Sequence, residues 1–335
     1  MTMTQNAPSS PRVVAESRLI AGPEPDVRLH LLNKRRHDLH RFSAERTLVM
    51  MHGATFSSAS LFDVAVADMS FMDVLAQAGY DVWAVDARGY GGSSRPPEMS
   101  RAPEDGSPLV TARTALDDFS TAVDFICRSR GVVSVNVLGM SWGATIAGAF
   151  ASAAGARLEK RLEKLILVTP LWLSKERLRI DAGGPLGAYR IVSPRAFEAV
   201  WRGAAPEHAR HDLIPDGWFE TWEKATLATD PDSPHPRTIR APSGAVQDVR
   251  VHWTADDPFY DPGTIACPVL VLAAEWDVDV RFDVAQDLFV RLERASYKRL
   301  VVIGQGTHMI LMERNRRQAF DAVIGFLEER VAAAN

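Results

Sequence analysis

Ser141 lies between two glycines in Gly139-Met140-Ser141-Trp142-Gly143, where the apolar run VNVL ends and a run of small residues begins. A hydroxyl at such a joint can act as a nucleophile if three other groups reach it. These are an imidazole to take its proton, a carboxylate to orient that imidazole, and N–H donors for the oxyanion. The chemistry would be acyl transfer. The candidate base is His308 in IGQGTHMI; of the nine histidines, only His52 and His308 directly follow a core strand. The candidate acid is Asp277 in VLVLAAEWDVDV, again just past a strand, with Asp279 two residues on as the alternative. Glu275 is turned the other way by alternation along the chain. The backbone N–H groups of Trp142 and of Ala54, in MHGATF, are the candidate oxyanion donors. Gly53 would let that loop approach the substrate, and His52 is expected to structure it.

These residues need a scaffold that brings strand ends together. Residues 12–20 and 27–34 read as two strands joined by AGPEPD, and 47–51 (TLVMM) as a short buried strand. Helical spacing over 62–78 ends at Gly79; a strand follows at 81–85, then an amphipathic helix over 111–130 closed by Gly131. After the Ser141 joint come a helix over 143–154 and strands at 165–168, 269–273 and 299–303. Helices are expected near 284–292 and over 316–332. Such alternation predicts an α/β protein with a mostly parallel sheet covered on both faces. Each candidate residue then sits at the carboxyl edge of the sheet, where open α/β sheets gather ligands.

Residues 171–262 break the alternation. They are rich in Pro, Trp, His and Arg, contain no clear apolar strand, and read as short helices and loops forming a helical cap over the site. The division expected is a tail at 1–11, a core of 12–170 and 263–335, and a cap or lid at 171–262.

The chain has 335 residues, 46% of them apolar, and a net charge of −4. That balance argues against nucleic-acid binding, which would show a basic stripe; Lys34-Arg35-Arg36 reads as a solvated strand end. Cys127 and Cys267 give neither a disulfide framework nor metal-ligand spacing and are expected to be core thiols. No metal or cofactor is expected. There is no secretory h-region in MTMTQNAPSSPR and no apolar run of membrane-spanning length, so a cytoplasmic protein acting on a small molecule, with no membrane partner, is the expectation. The oligomeric state is not legible.

Taken together, HG at 52–53, DARGYGGS at 86–93, GMSWG at 139–143, EWD at 275–277 and GTH at 306–308 resemble the α/β-hydrolase superfamily over nearly all of residues 12–332. The order Ser141, Asp277, His308 is the one expected of that fold. The resemblance implies an α/β-hydrolase fold with a Ser-His-Asp triad, and structural roles for Asp86 and Arg88. A serine nucleophile sets aside the relatives that use aspartate, the epoxide hydrolases and haloalkane dehalogenases. Motif spacing looks similar to bacterial carboxylesterases, including those acting on monoalkyl phthalates. MSWG and GWFETWEKAT resemble proline iminopeptidases, which implies Glu223 as a receptor for a free amine, although HGATF and Met140 depart from that pattern. The C–C bond hydrolases of aromatic degradation share the cap and the triad order, and a haloperoxidase or acyltransferase would use the same triad. A binding protein on a degenerate hydrolase fold would lack a triad member, and none is missing.

Within the cap, Arg179, Arg190, Arg195, Arg202 and Arg250 accompany Trp201, Trp218, Trp222 and Trp253. Singly, each arginine reads as a solvated helix face and each tryptophan as packing. As a set they would suit an aromatic ester that keeps a free carboxylate. His52, Thr55, Phe56, Trp218, Trp222 and Glu223 are the residues expected to face substrate. A carboxylesterase is the expected activity.

Overall fold

A computed structural model describes residues 11–157 and 162–330. All of the expected tail except Pro11, and the last two residues of the expected closing helix, fall outside this range. The strands are β1 (Val13–Ala21), β2 (Arg28–Arg36), β3 (Thr47–Met51), β4 (Asp81–Asp86), β5 (Val135–Met140), β6 (Leu162–Val168), β7 (Tyr189–Val192), β8 (Ile239–Pro242), β9 (Val269–Ala274) and β10 (Lys298–Ile303). The helices are α1 (Ser58–Phe62), α2 (Phe71–Gln77), α3 (Ala112–Arg130), α4 (Trp142–Arg157), α5 (Pro194–Ala204), α6 (Arg210–Leu213), α7 (Trp218–Leu227), α8 (Gly244–Asp248), α9 (Phe282–Arg291) and α10 (Arg316–Glu328).

An eight-stranded sheet runs in the order β1-β2-β4-β3-β5-β6-β9-β10. Its first two pairings are antiparallel and the rest parallel. The parallel strands β3, β4, β5 and β9 are buried along their whole length, which explains why they are mostly apolar, with Asn136 the one polar residue in a strand interior. Side chains alternate between two core layers, as the strand period requires. Val49 and Met51 join Phe119 of α3 and Ile146 of α4 on one face; Leu48 and Met50 join Leu75 of α2 and Phe320 of α10 on the other. Cys127 and Cys267 pack, partly buried, against the first layer.

Three expectations are corrected. Of the helix expected over 62–78, only α2 (Phe71–Gln77) is helical; α1 ends at Phe62, and residues 63–70 connect the two. Ala67 and Asp68 take left-handed φ values of 46° and 65° between them, and Ser70 restarts the helix with a reciprocal cap to Asp73. The segment 171–262 contains strands after all: β7 and β8 form an antiparallel pair, each only four residues long. Lys34 is no solvated strand end, since it pairs with Asp63 at 2.5 Å and Asp73 at 2.7 Å.

Candidate active site

The joint between β5 and α4 explains its own sequence. Ser141 sits at φ 58°, a left-handed conformation that costs a non-glycine residue energy. Its N–H donates to Val168 O and its carbonyl accepts from Ala144 N–H, both at 2.9 Å. A Cβ on Gly139 would lie 2.2 Å from Gly143 O, and one on Gly143 would lie 2.3 Å from His52 O. Helix α4 therefore packs onto β5 and β3 so closely that only glycine fits on either side of Ser141.

The loops after β9 and β10 deliver the other two groups. His308 Nε2 lies 2.9 Å from Ser141 Oγ, and His308 Nδ1 lies 2.8 Å from Asp277 Oδ2. A carboxylate can only accept, so Nδ1 carries a proton and the neutral ring has Nε2 free to accept from the serine hydroxyl. Asp277 is held in turn by the N–H groups of Asp279 (2.9 Å) and Val280 (2.8 Å), both donating to Oδ1. Burial works against the charged imidazole, but the Asp277 charge and its hydrogen bond outweigh it and push His308 up to about 9. Asp279 does not reach His308 by hydrogen bond; Arg179 holds it at 2.7 and 2.5 Å. Donor atoms of Asp277, Asp279 and His308 come within 4.8 Å of one another, yet they are already committed to Ser141, to Arg179 and among themselves.

The loop after β3 abuts Ser141: a Cβ on Gly53 would stand 3.4 Å from Ser141 Cβ. His52 is buried, and burial lowers its pKa. Its Nε2 accepts from Ala87 N–H at 3.1 Å, so Nδ1 donates to Gly53 O at 2.7 Å and the ring braces the loop. The Ala54 carbonyl accepts from Tyr90 Oη at 2.9 Å and Arg190 Nη2 at 2.8 Å. Neither the Ala54 nor the Trp142 N–H donates to another group among the described residues, so both are available to an oxyanion. The Trp142 indole is anchored separately, donating to Asp248 Oδ2 at 2.9 Å; the same oxygen accepts from Ala112 N–H at 2.7 Å. Asp86 and Arg88 shape the neighbouring loop: Asp86 accepts from Ser58 N–H at 2.9 Å, and Arg88 grips Asp118 at 2.6 Å.

Ser141 and His308 open into a cavity of about 290 Å³. Thr55 and Phe56, two of the residues expected to face substrate, line it. Leu171, Leu178, Ile180, Val192, Phe197 and Val200 give it an apolar wall. The other residues expected to face substrate do not line it. Trp222 is buried behind Phe56, 4.9 Å between ring centroids, with its indole N–H on Ser60 O at 3.0 Å. Trp218 packs under Arg316. Both Glu223 oxygens are occupied, by Arg195 at 2.5 Å and Arg237 at 2.7 Å.

Sequence reasoning did not single out Arg190 from the other cap arginines. Arg179 pairs with Asp279, Arg195 with Glu223, Arg202 with Glu198, and Arg250 with Asp181. Arg190 lines the cavity, yet no carboxylate among the described residues pairs with it. Its Nε is enclosed without a partner, and burial pulls its pKa below the usual guanidinium value. Arg202 meets Glu198 one turn back on α5, a spacing the sequence does show, but the partners of Arg179, Arg195 and Arg250 are brought to them by the fold, so the sequence alone does not set Arg190 apart.

The family model described as the alpha/beta hydrolase fold matches residues 46–314. The chain belongs to this family. No curated protein matches it in sequence. Among solved structures, this α/β hydrolase is similar to a bromoperoxidase from Bacillus anthracis, at 16% identity and a TM-score of 0.62 over 94% of this chain and 100% of that one. It is similar also to the 2-hydroxy-6-oxo-6-phenylhexa-2,4-dienoate hydrolase of Rhodococcus sp. strain RHA1, at 16% identity and a TM-score of 0.59, again over 94% and 100%. A thermophilic esterase from Thermogutta terrifontis, solved with malate bound, matches at 17% identity and a TM-score of 0.56, over 93% of this chain and 98% of that one. Likeness at this level is likeness of fold. No helix of the α/β hydrolase, among the described residues, is long and apolar enough to cross a membrane.

Proposed function

We propose that this α/β hydrolase cleaves a carboxylic ester through an acyl-enzyme, with Ser141 as nucleophile, His308 as general base and acid, and Asp277 orienting His308. The observation that carries this reading is the hydrogen-bonded chain Ser141–His308–Asp277 opening into one cavity. Ser141 Oγ attacks the ester carbonyl carbon as its proton passes to His308 Nε2. The charge that develops on the carbonyl oxygen is received by the N–H groups of Ala54 and Trp142. Collapse breaks the bond to the alkoxy oxygen, which leaves as the alcohol with the proton from Nε2, and Ser141 keeps the acyl group. Water then gives a proton to Nε2 and attacks the acyl carbon. The second collapse returns that proton to Oγ and frees the acid. The chain's own groups complete this cycle without a cofactor.

Residues 171–262 act as the cap, since all six apolar wall residues named above belong to that segment. The apolar wall and the unpaired Arg190 support a finer reading: an aromatic ester that keeps a free carboxylate, such as a monoalkyl phthalate. Against an amine-capturing peptidase stands Glu223, neutralised by two arginines outside the cavity. The test is hydrolysis of a p-nitrophenyl acyl ester series by pure protein, with fluorophosphonate labelling mapped to Ser141. Ser141→Ala is expected to lower kcat on the order of 10³-fold or more and to abolish labelling. Labelling at full strength in that variant would remove Ser141 from the mechanism.

A further inference from the structure

Glu313 takes no part in the proton relay, yet it bonds both the loop of the base and a helix that lines the cavity. Its side chain is fully buried. Three neutral donors hold it: Thr307 N–H at 2.9 Å to Oε2, the Thr307 hydroxyl to Oε1, and the Trp201 indole N–H at 2.7 Å to Oε1. Among the described residues no cation pairs with it. Thr307 is the residue before His308. Trp201 belongs to α5, the helix whose Phe197 and Val200 line the cavity.

A buried carboxylate without a cation is costly, and burial lifts this one to about 7 against its hydrogen bonds. If packing alone were at stake, an apolar side chain of the same volume would serve as well or better. What an apolar residue cannot do is bond two separate elements at fixed distances. We propose that Glu313 is a positioning residue that couples the seating of helix α5 to the placement of His308. When α5 is seated, Trp201 and Thr307 share one carboxylate and the His308 loop is held. When α5 lifts, the loop loses one of the three donors that fix its anchor. This inference rests on the reading of Ser141 and His308 as nucleophile and base.

Glu313→Gln is the direct test. A glutamine has a single acceptor oxygen, so its amide nitrogen must face either the Thr307 N–H or the Trp201 N–H, and one bond is lost whichever way it turns. Trp201→Phe removes only the helix side of the clamp and leaves Thr307 untouched. The readouts are the rate constant for fluorophosphonate inactivation at Ser141, and kcat and KM for a small p-nitrophenyl ester.

Glu313→Gln is expected to slow inactivation about 10- to 100-fold, and Trp201→Phe about 3- to 10-fold, with the losses in kcat and not KM. The double variant is expected to match Glu313→Gln within about twofold, since both act through one carboxylate. If Glu313→Gln does not fold, Trp201→Phe decides alone. An unchanged rate constant in Trp201→Phe, or losses that add in full, overturns the coupling while leaving the hydrolase reading intact. A wild-type chain that is not labelled at Ser141 overturns both.

Discussion

The carboxylates of Asp277 and Asp279, two residues apart, are bound to different partners. Asp277 stands 2.8 Å from His308 Nδ1, while Asp279 is held by Arg179 at 2.7 and 2.5 Å. The turn that carries Asp279 away also fixes Asp277, because the Asp279 and Val280 N–H groups donate to Asp277 Oδ1. Asp277→Asn is therefore expected to lower kcat about 10⁴-fold, since an amide facing Nδ1 favours the wrong tautomer. Asp279→Asn breaks a partly exposed ion pair and is expected to cost less than about tenfold. Steady-state kinetics on one ester checks both, and a reversed order would move the acid to Asp279.

The pH dependence of activity follows from the same pair. The base must be neutral to take the serine proton, and His308 is pushed from 6.5 up to about 9 by Asp277. For an uncharged ester, kcat/KM is expected to rise with pH along a limb centred well above 6.5. Asp277→Asn removes the charge that raises the pKa, so the residual activity should have its limb at lower pH. A wild-type midpoint at or below 6.5 would contradict the electrostatics described for His308.

Asp248 makes a separate prediction about stability. Burial raises its carboxyl from 3.8 to about 6, even though one oxygen accepts from both Trp142 and Ala112. The folded state therefore holds a proton that the unfolded state releases earlier. This contribution to stability is full below about pH 4, falls as pH rises toward 6, and stays low above it. Asp248→Asn can keep both hydrogen bonds through its single oxygen and has no charge to bury. It is expected to raise stability at pH 8 by up to about 3 kcal/mol and to leave it unchanged at pH 4. Glu313, raised to about 7 by burial, adds its own decline over an overlapping range, so the variant should lessen the wild-type slope and not abolish it. Urea unfolding at the two pH values measures this, and a loss of stability at pH 8 would mean that the charge itself is needed under Trp142.

What the sequence made legible follows from how local each signal is. TLVMM is β3 to the residue because a strand buried on both faces is almost wholly apolar, and its one polar residue, Thr47, bonds its hydroxyl to Ser43 O. Gly139 and Gly143 point to the Ser141 joint because their clashes are with backbone a few residues away or on the adjacent strand. The break between α1 and α2 was hidden because the apolar spacing continues across 63–70, and only backbone geometry ends the helix. β7 and β8 were missed because four residues such as YRIV cannot declare a period, and their pairing partner is about fifty residues away. Glu223 beside Trp222 looked like an amine receptor, but its partners Arg195 and Arg237 are brought to it by the fold.

Substrate choice is where Arg190 can be tested. Its Nη2 donates to the carbonyl of Ala54, whose own N–H is the proposed oxyanion donor. A carboxylate bound at this guanidinium would then lie a few bonds from the scissile carbonyl, which favours a half-ester of a short dicarboxylic acid over a long-chain ester. Arg190→Gln can keep a donor on Ala54 O while removing the charge, so it separates loop support from anion capture. For a monoalkyl phthalate, kcat/KM is expected to fall by roughly 2–3 kcal/mol, about 30- to 150-fold, because a charged hydrogen bond is lost in a desolvated site. For the dialkyl ester, which has no carboxylate to lose, the fall should stay within a few-fold, and the wild-type preference for the monoester should disappear. Equal losses on both esters would reduce Arg190 to a support for the loop. A prolyl arylamide cut faster than either ester by the wild type would overturn the ester reading itself, because amide cleavage with amine capture would then be the better use of the same three residues.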